Sequence, residues 1–335
     1  MKKILFILKK RNIYSDGNYA NVNSGLYNSA TFVNNMLLEN NVETNIVQVN
    51  DNNEIDKYCY QYKPDIVIIE ALWVVPEKFE ILQKLHPKVN WVIRLHSELP
   101  FLANEGIAIE WLKKYVQYEN VKIGSNSKYL IEALTPLLNS KLIYLPNYYK
   151  VDSTSSNNSS NNSKILNVGI FGAIRPLKNT LTQAVASINY ANSVKKKLVL
   201  HVNSARVEQK GENVLKNLRA LFVDTPHTLV EYGWLDHKDF TQLVSTMDIC
   251  LQVSLTETYN IVAADAINQN VPVVTSREIT FVNWLSSVES NKDTVRLIEA
   301  IDVTLKLRYM LTKVNKILLN WDSNKSKRVW LKFVK

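Results

Sequence analysis

The stretch "SLTETYNIVAADAINQNVPVVTS", residues 254–276, decides the fold class. It follows an apolar run, "DICLQV", and opens with polar residues that predict a loop. A helical pattern of small residues, "NIVAADAINQ", comes next, and the Val-rich run "VPVVTS" ends the stretch. A buried strand, a loop, a helix and a second buried strand in this order predict part of a parallel sheet covered on both faces.

The same alternation of apolar strands and helical patterns extends over the whole chain. Strand-like runs in the first half are "KILFIL", "ETNIVQV", "DIVIIEAL", "NWVIRLH", "VKIGS" and "KLIYLP". Those in the second half are "ILNVGIFGA", "KLVLHVNS", "TLVEYG", "DICLQVS" and "VPVVTS". We therefore expect an α/β protein of two doubly wound, Rossmann-like domains. Ligands of such domains bind at the carboxyl ends of the strands, here in a cleft between the domains.

A polar segment, "STSSNNSSNNS", separates the two halves. It has no apolar residue whose burial would offset the entropy of ordering it, so it predicts a flexible linker. The predicted organisation is an N-terminal domain (1–150), the linker (151–163), a C-terminal domain (164–305) and C-terminal helices (306–335) that pack back on the N-terminal domain.

Composition predicts a folded protein of a reducing compartment. The chain has 335 residues, 46% of them hydrophobic, and two cysteines, too few for a disulfide framework. No apolar run approaches the roughly 20 residues of a membrane span, so we expect a cytoplasmic location. The net charge of +9 favours an anionic partner without selecting one. The positive charge leaves open a peripheral association with a membrane or a nucleic acid.

A loop rich in cations follows the first strand of the second half, in "NVGIFGAIRPLKNT" (167–180). Gly172 ends the strand, and Arg175 and Lys178 stand just before the next helical pattern. A helix N-terminus has unpaired N–H groups and a positive dipole end, and two cations beside it favour a phosphate or diphosphate. The spacing is not that of a P-loop. The alternative is a surface-exposed basic turn.

Two carboxylates mark the opening stretch, Glu257 in the loop and Asp265 within the helix. Glu257 has an alternative explanation as a helix-dipole partner. Asp265 interrupts an apolar run on a helix that should pack on the sheet, so we expect it to be half-buried with a hydrogen-bonding partner. Vicinal hydroxyls of a sugar or ribose are suitable partners. No His, Cys, Asp or Glu cluster has the spacing of a metal site.

These segments resemble retaining glycosyltransferases of the GT-B fold, especially glycosyltransferase family 4. That family has a Glu-x7-Glu pattern, then a small-residue helix and a "G-x-PVV" strand. Glu257 and Asp265 stand at the two acidic positions, and Asn270 stands where glycine is usual. The resemblance covers most of 164–276 and the first half only in outline.

The loop "FGAIRPLKN" resembles the diphosphate loop of the same family, in which an arginine and a lysine hold the phosphates. Lys178 matches the lysine. Ala173 occupies the usual arginine position, and Arg175 follows two residues later. In the first half, His96 ends a strand where the family places a histidine near the donor sugar. Gly25 opens a helix after a polar loop, where the family brings backbone close to the ligand.

The resemblance implies transfer of a sugar from a nucleotide-diphosphate sugar, with retention at the anomeric carbon, no metal and no bound cofactor. The expected catalytic residues are His96 and Glu257. The expected donor-binding residues are Gly25, Gly172, Arg175, Lys178, Asn260 and Asp265. The C-terminal domain would bind the donor and the N-terminal domain the acceptor.

Two other functions remain open from the sequence. One is a nucleotide-sugar epimerase of the same fold, which needs no acceptor. The other is a degenerate, non-catalytic binder of a sugar nucleotide or glycan, which Ala173 keeps open. The acceptor is not identified: a hydroxylated DNA base, a glycan or lipid-linked glycan, and a protein all suit the charge.

Overall fold

A computed structural model describes residues 2–10, 12–15, 18–21, 25–152, 164–289 and 293–335. Contacts group the chain into two compact units. Unit 1 comprises Met1–Arg11, Asn23–Lys150 and Ser323–Lys335, and unit 2 comprises Asn12–Val22 and Val151–Asp322. Most of the predicted linker, residues 153–163, lies outside the described residues.

Strands and helices alternate through both units. The strands are β1 (Ile4–Lys9), β2 (Asn12–Ser15), β3 (Asn18–Asn21), β4 (Thr44–Val49), β5 (Ile66–Glu70), β6 (Asn90–Leu95), β7 (Val121–Ser125), β8 (Ile143–Tyr144), β9 (Ile165–Ile170), β10 (Lys197–Asn203), β11 (Thr228–Tyr232), β12 (Ile249–Gln252), β13 (Val273–Ser276) and β14 (Ser287–Val288). The α-helices are α1 (Gly25–Leu38), α2 (Glu54–Tyr62), α3 (Lys78–Leu85), α4 (Leu99–Leu102), α5 (Ala108–Tyr115), α6 (Lys128–Leu138), α7 (Thr180–Ser193), α8 (Gly211–Ala220), α9 (His237–Val244), α10 (Ile261–Asn268), α11 (Thr294–Lys306) and α12 (Arg308–Phe333).

Unit 1 is built on a six-stranded sheet in the order β4-β1-β5-β6-β7-β8, with every pair parallel. β1 and β5 are buried along nearly their whole length. Continuous Ile, Leu and Val runs are required there because helices cover both faces of the sheet. Apolar clusters on the two faces contain Trp91 and Phe79 on one side and Phe6 and Trp330 on the other.

Unit 2 contains the second six-stranded parallel sheet, in the order β11-β10-β9-β12-β13-β14. When the strands of this sheet are numbered along the chain, the order is 3-2-1-4-5-6, the Rossmann strand order. The chain direction across the sheet reverses between β9 and β12, which are neighbours in space but distant in sequence. In such sheets the ligand binds outside the carboxyl ends of the strands at this reversal.

Two features depart from the sequence prediction. The polar loop after β1 contains a short antiparallel hairpin, β2 paired with β3. This segment has no apolar run, so its hydrophobic pattern did not predict strands. The C-terminal helices predicted over 306–335 are in fact the single 26-residue helix α12, whose last residues belong to unit 1. There Trp330 is fully buried, and its indole N–H donates to the Pro146 carbonyl at 2.7 Å.

Candidate active site

Two loops of unit 2 lie side by side at the reversal point of its sheet. One follows β9 and runs over residues 171–179, and the other follows β12 and runs over residues 253–260. They are joined by a backbone hydrogen bond from Leu255 N–H to Leu177 O at 2.9 Å. These are the two loops in which the sequence predicts the diphosphate cations and Glu257.

Lys178 and Glu257 form an ion pair between these loops. The Lys178 Nζ atom lies 2.6 Å from Glu257 Oε2, and both side chains are mostly buried. Lys178 ends a single 3₁₀ turn that starts at Pro176, whose fixed φ favours such a turn. The structure therefore brings together two predicted site residues that are 79 positions apart in the sequence.

Arginines supply further positive charge beside this pair. Arg175 Nη1 lies 3.3 Å from Glu208 Oε2, and Arg206 Nη2 lies 2.7 Å from Glu208 Oε1. Burial lowers the pKa of Arg175, and the charges of Glu257 and Glu208 offset part of that. The charges of Glu257 and Arg175 therefore interact. One carboxylate, Glu208, therefore holds two guanidiniums beside the loop in which the buried Ala173 stands at the usual arginine position.

Buried amide side chains fix the two loops to each other. Gln183 donates to the Lys178 carbonyl at 2.8 Å, and its oxygen accepts from Val253 N–H at 2.9 Å. Asn260 caps α10 by accepting from Ala263 N–H at 2.9 Å, and it donates to Gln252 Oε1 at 2.9 Å. Asn260, predicted to bind the donor, is almost fully buried, and within the protein it holds the loop that carries Glu257.

A small pocket opens between the same loops. It is lined by Gly172, Ala173, Lys178, Thr180, Gln252 and Ser254, among others. The Ser254 hydroxyl is buried at the pocket wall and has no hydrogen-bonding partner in the protein. The first residue of α7, Thr180, also lines it, and the residue before, Asn179, makes no side-chain cap. An uncapped helix N-terminus and an unpartnered hydroxyl are donors suited to an anion.

Gly172 has the backbone conformation that its position in the pocket requires. Its φ is +114°, which side-chain-bearing residues rarely adopt, and its N–H donates to Asn203 Oδ1 at 3.2 Å. A Cβ here would meet open space. The reason for glycine is therefore the backbone conformation of this turn.

Gly211, at the start of α8, allows a close approach to the cation loop. A Cβ at this position would lie 2.0 Å from the carbonyl oxygen of Ile174, the residue before Arg175. We expect Gly211→Ala to displace that backbone and to destabilise unit 2 by about 1 to 3 kcal/mol, as overpacking does. Thermal and urea unfolding measure the loss. Gly106→Ala is the control, because a Cβ there meets nothing within 4 Å. Equal stability of the two variants would contradict the prediction.

Asp265 is more deeply buried than the sequence predicts. It lies in the second turn of α10, has no exposed area and accepts a hydrogen bond from His237 Nε2 at 2.8 Å. The sequence predicted a half-buried carboxylate; α9 packs over it and supplies the partner. Burial alone would lower the pKa of His237, but its hydrogen bond to Asp265 and the charges of Asp265 and Asp236 outweigh this and raise it.

In unit 1, the predicted residue His96 follows the carboxyl end of β6. Its Nε2 atom forms a short hydrogen bond with Glu70 Oε2. Glu70 is the last residue of β5 and also accepts from Arg94 Nη1, with distances of 2.9 and 3.2 Å to its two oxygens. Glu70 and Arg94 are paired residues of neighbouring strands, and both are fully buried.

Arg94 extends this cluster to the end of β8 and to α1. It donates to the carbonyls of Leu145 and Pro146, both at 3.0 Å, and to Asn147 Oδ1 at 2.7 Å. Asn147 in turn donates to Ser29 on α1 at 3.3 Å. Gly25 is the first residue of this helix, and residues 22–24 of the loop before it lie outside the described residues.

Among the described residues, no group of three or more His, Cys, Asp and Glu side chains could hold a metal ion. Within the same residues, no helix combines the length and apolar character needed to cross a membrane.

Comparison with solved structures identifies the fold. The chain is similar to a sucrose-phosphate synthase from Thermosynechococcus elongatus, with 12% identity, a TM-score of 0.68 and 99% of each chain covered. It is similar to Anabaena HepE in complex with UDP-glucose, with 11% identity, a TM-score of 0.67 and 99% of each chain covered. The fold is GT-B. This confirms the fold class predicted from the sequence.

A further structure with the GT-B fold is larger than this chain. TarM from S. aureus, in complex with UDP, is 11% identical with a TM-score of 0.61. The match covers 84% of this chain and 58% of TarM, so this chain spans little more than half of that protein. No family model and no curated protein matches the sequence.

Several residues that contact the predicted site residues were not predicted from the sequence. Arg206 and Glu208 lie beyond the next strand, in a loop with no recognisable spacing. Glu70 and Arg94 had a detectable signal, since each is a single charge inside an otherwise apolar strand pattern. His237 has no distinctive local pattern in the sequence, although the buried Asp265 requires a donor.

Proposed function

We propose that the chain is a glycosyltransferase that transfers a sugar from a nucleotide-diphosphate sugar to an acceptor. The observation that carries the proposal is the Lys178–Glu257 ion pair at the reversal point of the unit 2 sheet. It joins a cation suited to phosphate and a carboxylate suited to sugar hydroxyls within 2.6 Å of each other.

The donor would occupy unit 2 along this pair. Lys178 and Arg175 would neutralise the diphosphate leaving group as negative charge develops on it, where electrostatic stabilisation helps most. Diphosphate binding would draw Lys178 from Glu257 and leave that carboxylate to accept from hydroxyls of the donor sugar. Asp265 would contribute to ribose binding indirectly, through its hydrogen bond to His237. His237 is the more exposed member of the pair.

Solved structures with this fold support the choice of donor. TarM was solved with UDP and HepE with UDP-glucose. We therefore propose a UDP-sugar as the first donor to test. Retention at the anomeric carbon, independence of metal and kinship with glycosyltransferase family 4 are parts of the same proposal, and they rest on the Glu-x7-Asp spacing of Glu257 and Asp265.

Donor-dependent turnover tests the proposal. The protein is incubated with UDP-, GDP- and ADP-sugars, and released nucleotide is quantified with and without EDTA. We expect slow hydrolysis of one donor, unchanged by EDTA, because water can replace the acceptor. Product analysis separates transfer or hydrolysis from epimerisation, which would leave the nucleotide attached. No release together with no thermal stabilisation by any donor or nucleotide would refute the proposal.

The two alternatives have less support. A degenerate binder was suggested by the missing arginine at Ala173. Arg175 lies in the same loop, and Arg206 pairs with the same glutamate, Glu208, so guanidinium groups are not lacking there. No observation specifically favours an epimerase. The acceptor stays unassigned among a DNA base, a glycan and a protein.

A further inference from the structure

Gln183, the fourth residue of α7, is a polar residue in the interior of unit 2. It is 1% exposed, and its neighbours along the helix include the fully buried Ala184 and Ala186. Moving a primary amide from water into an apolar interior costs free energy unless its hydrogen bonds are replaced. Both ends of this amide therefore require partners, and each end has its partners in a different loop of the candidate site.

The N–H2 end of the amide binds the turn that carries Lys178. Gln183 Nε2 donates to the Lys178 carbonyl at 2.8 Å and to the Asn179 carbonyl at 3.2 Å. Asn179 has a φ of +54°, a left-handed conformation that costs free energy for a residue with a side chain. The two hydrogen bonds offset this cost and hold the turn on α7.

The oxygen end binds the loop that carries Glu257. Gln183 Oε1 accepts from Val253 N–H at 2.9 Å, and Val253 directly follows β12. Carbonyl oxygens only accept and a backbone N–H only donates, so these partners allow one orientation of the amide. One buried side chain on a 14-residue helix thus holds both loops between which Lys178 and Glu257 pair at 2.6 Å.

We propose that Gln183 is a positioning residue that sets the separation between Lys178 and Glu257. Both of its amide hydrogens are donated to carbonyls of the protein, so it acts through the loops and not as a donor to a phosphate. The inference rests on the proposed function, in which the cation and the carboxylate act on the same donor molecule. A phosphate and a sugar hydroxyl of one molecule lie at a limited separation, and the two protein groups must match it.

The coupling between Lys178 and Glu257 reports their relative position without any ligand. Urea unfolding of the wild type, Lys178→Met, Glu257→Gln and the double variant gives the coupling energy of the pair. The same cycle is then measured in a Gln183→Leu background. We expect the coupling to fall by about half or more, because α7 no longer holds the two loops through this side chain. Unchanged coupling in folded Gln183→Leu protein would overturn the proposal.

Ser187→Ala is the matched control, because it removes a buried hydrogen bond from the same helix. Ser187 has no exposed area, and its hydroxyl donates to the Gln183 carbonyl at 2.8 Å. This variant should lose stability but keep the Lys178–Glu257 coupling of the wild type. If it loses as much coupling as Gln183→Leu, the effect is one of general stability and the positioning role is refuted.

Gln183→Glu keeps the size of the side chain and decides the question if Gln183→Leu does not fold. An ionised carboxylate has no hydrogen for the Lys178 and Asn179 carbonyls, whereas a protonated one can donate. Burial and these two acceptors should therefore raise the pKa of the introduced carboxyl above the ordinary value of glutamate. Coupling should be weaker than in the wild type at about pH 9 and recover by about pH 5. Coupling equal to that of the wild type throughout this range would overturn the proposal.

The unfolding cycles need no donor, so they test the position of the pair even if the transferase proposal fails. If turnover is found, Gln183→Leu should lower kcat about 10- to 100-fold, because misplacement of a catalytic group mainly affects the transition state. The change in KM should be smaller, and Ser187→Ala should leave kcat unchanged. Full kcat in folded Gln183→Leu protein would refute the catalytic importance of this residue.

Discussion

Lys178→Ala should lower donor turnover about 10²- to 10³-fold, as loss of a group that stabilises transition-state charge commonly does. The lysine is the closest cation to Glu257, at 2.6 Å, and we propose that it meets the diphosphate as the sugar–phosphate bond breaks. Its loss removes a charge that matters more in the transition state than in the bound donor. We therefore expect the larger change in kcat and the smaller one in KM.

Two variants serve as references for this result. Lys216→Ala removes a lysine from the exposed side of α8 and should leave turnover within about twofold, because a screened surface charge contributes little. Glu257→Ala should also abolish most turnover, while nucleotide binding persists. Full activity of Lys178→Ala, measured as released nucleotide under saturating donor, would rule out the proposed diphosphate site.

Arg94→Met should destabilise unit 1 by about 3 to 5 kcal/mol, the usual cost of leaving one member of a buried ion pair unpaired. The substitution leaves the Glu70 carboxylate buried and removes the bonds to Leu145, Pro146 and Asn147. The double variant Arg94→Met with Glu70→Leu should recover part of that loss, since no buried charge remains. Full recovery is not expected, because those three oxygens still lack their donor.

Calorimetric and urea unfolding of the four proteins of this cycle measure the coupling energy. Lys114→Met is the matched control, since Lys114 pairs with Glu77 at 2.9 Å but both side chains are exposed. Its cost should stay below about 1 kcal/mol. A double variant that is less stable than Arg94→Met would contradict the prediction. It would show that the buried Glu70 carboxylate does not need Arg94 as its counter-charge.

The sequence was sufficient where a local pattern determines the structure. Apolar runs between helical patterns predicted the sheets, because a strand buried on both faces must be apolar throughout. Lys178 and Glu257 were predicted from the loops that end β9 and β12, and the strand order of unit 2 brings those loops together. Their hydrogen bond could not be predicted, because it depends on the 3₁₀ turn and on the buried amide of Gln183.

Contacts between distant segments are what the sequence did not reveal. Glu70 and Arg94 pair only because β5 and β6 are neighbours in register. The donor to Asp265 comes from α9, at a position where a histidine has no distinctive local pattern. Burial of a charge implies that it has a partner, but it does not identify which residue that partner is. A search for opposite single charges at matching positions of successive apolar strands would have found the first pair.

The location of Trp330 has a consequence for biosynthesis. It completes the apolar cluster around Phe6 in unit 1, yet about 170 residues of unit 2 separate it from Lys150. At a translation rate of roughly 5 to 20 residues per second, that delay is on the order of 10 to 30 seconds. The unit that leaves the ribosome first is therefore finished last. During that interval its incomplete core exposes apolar side chains that a chaperone would recognise.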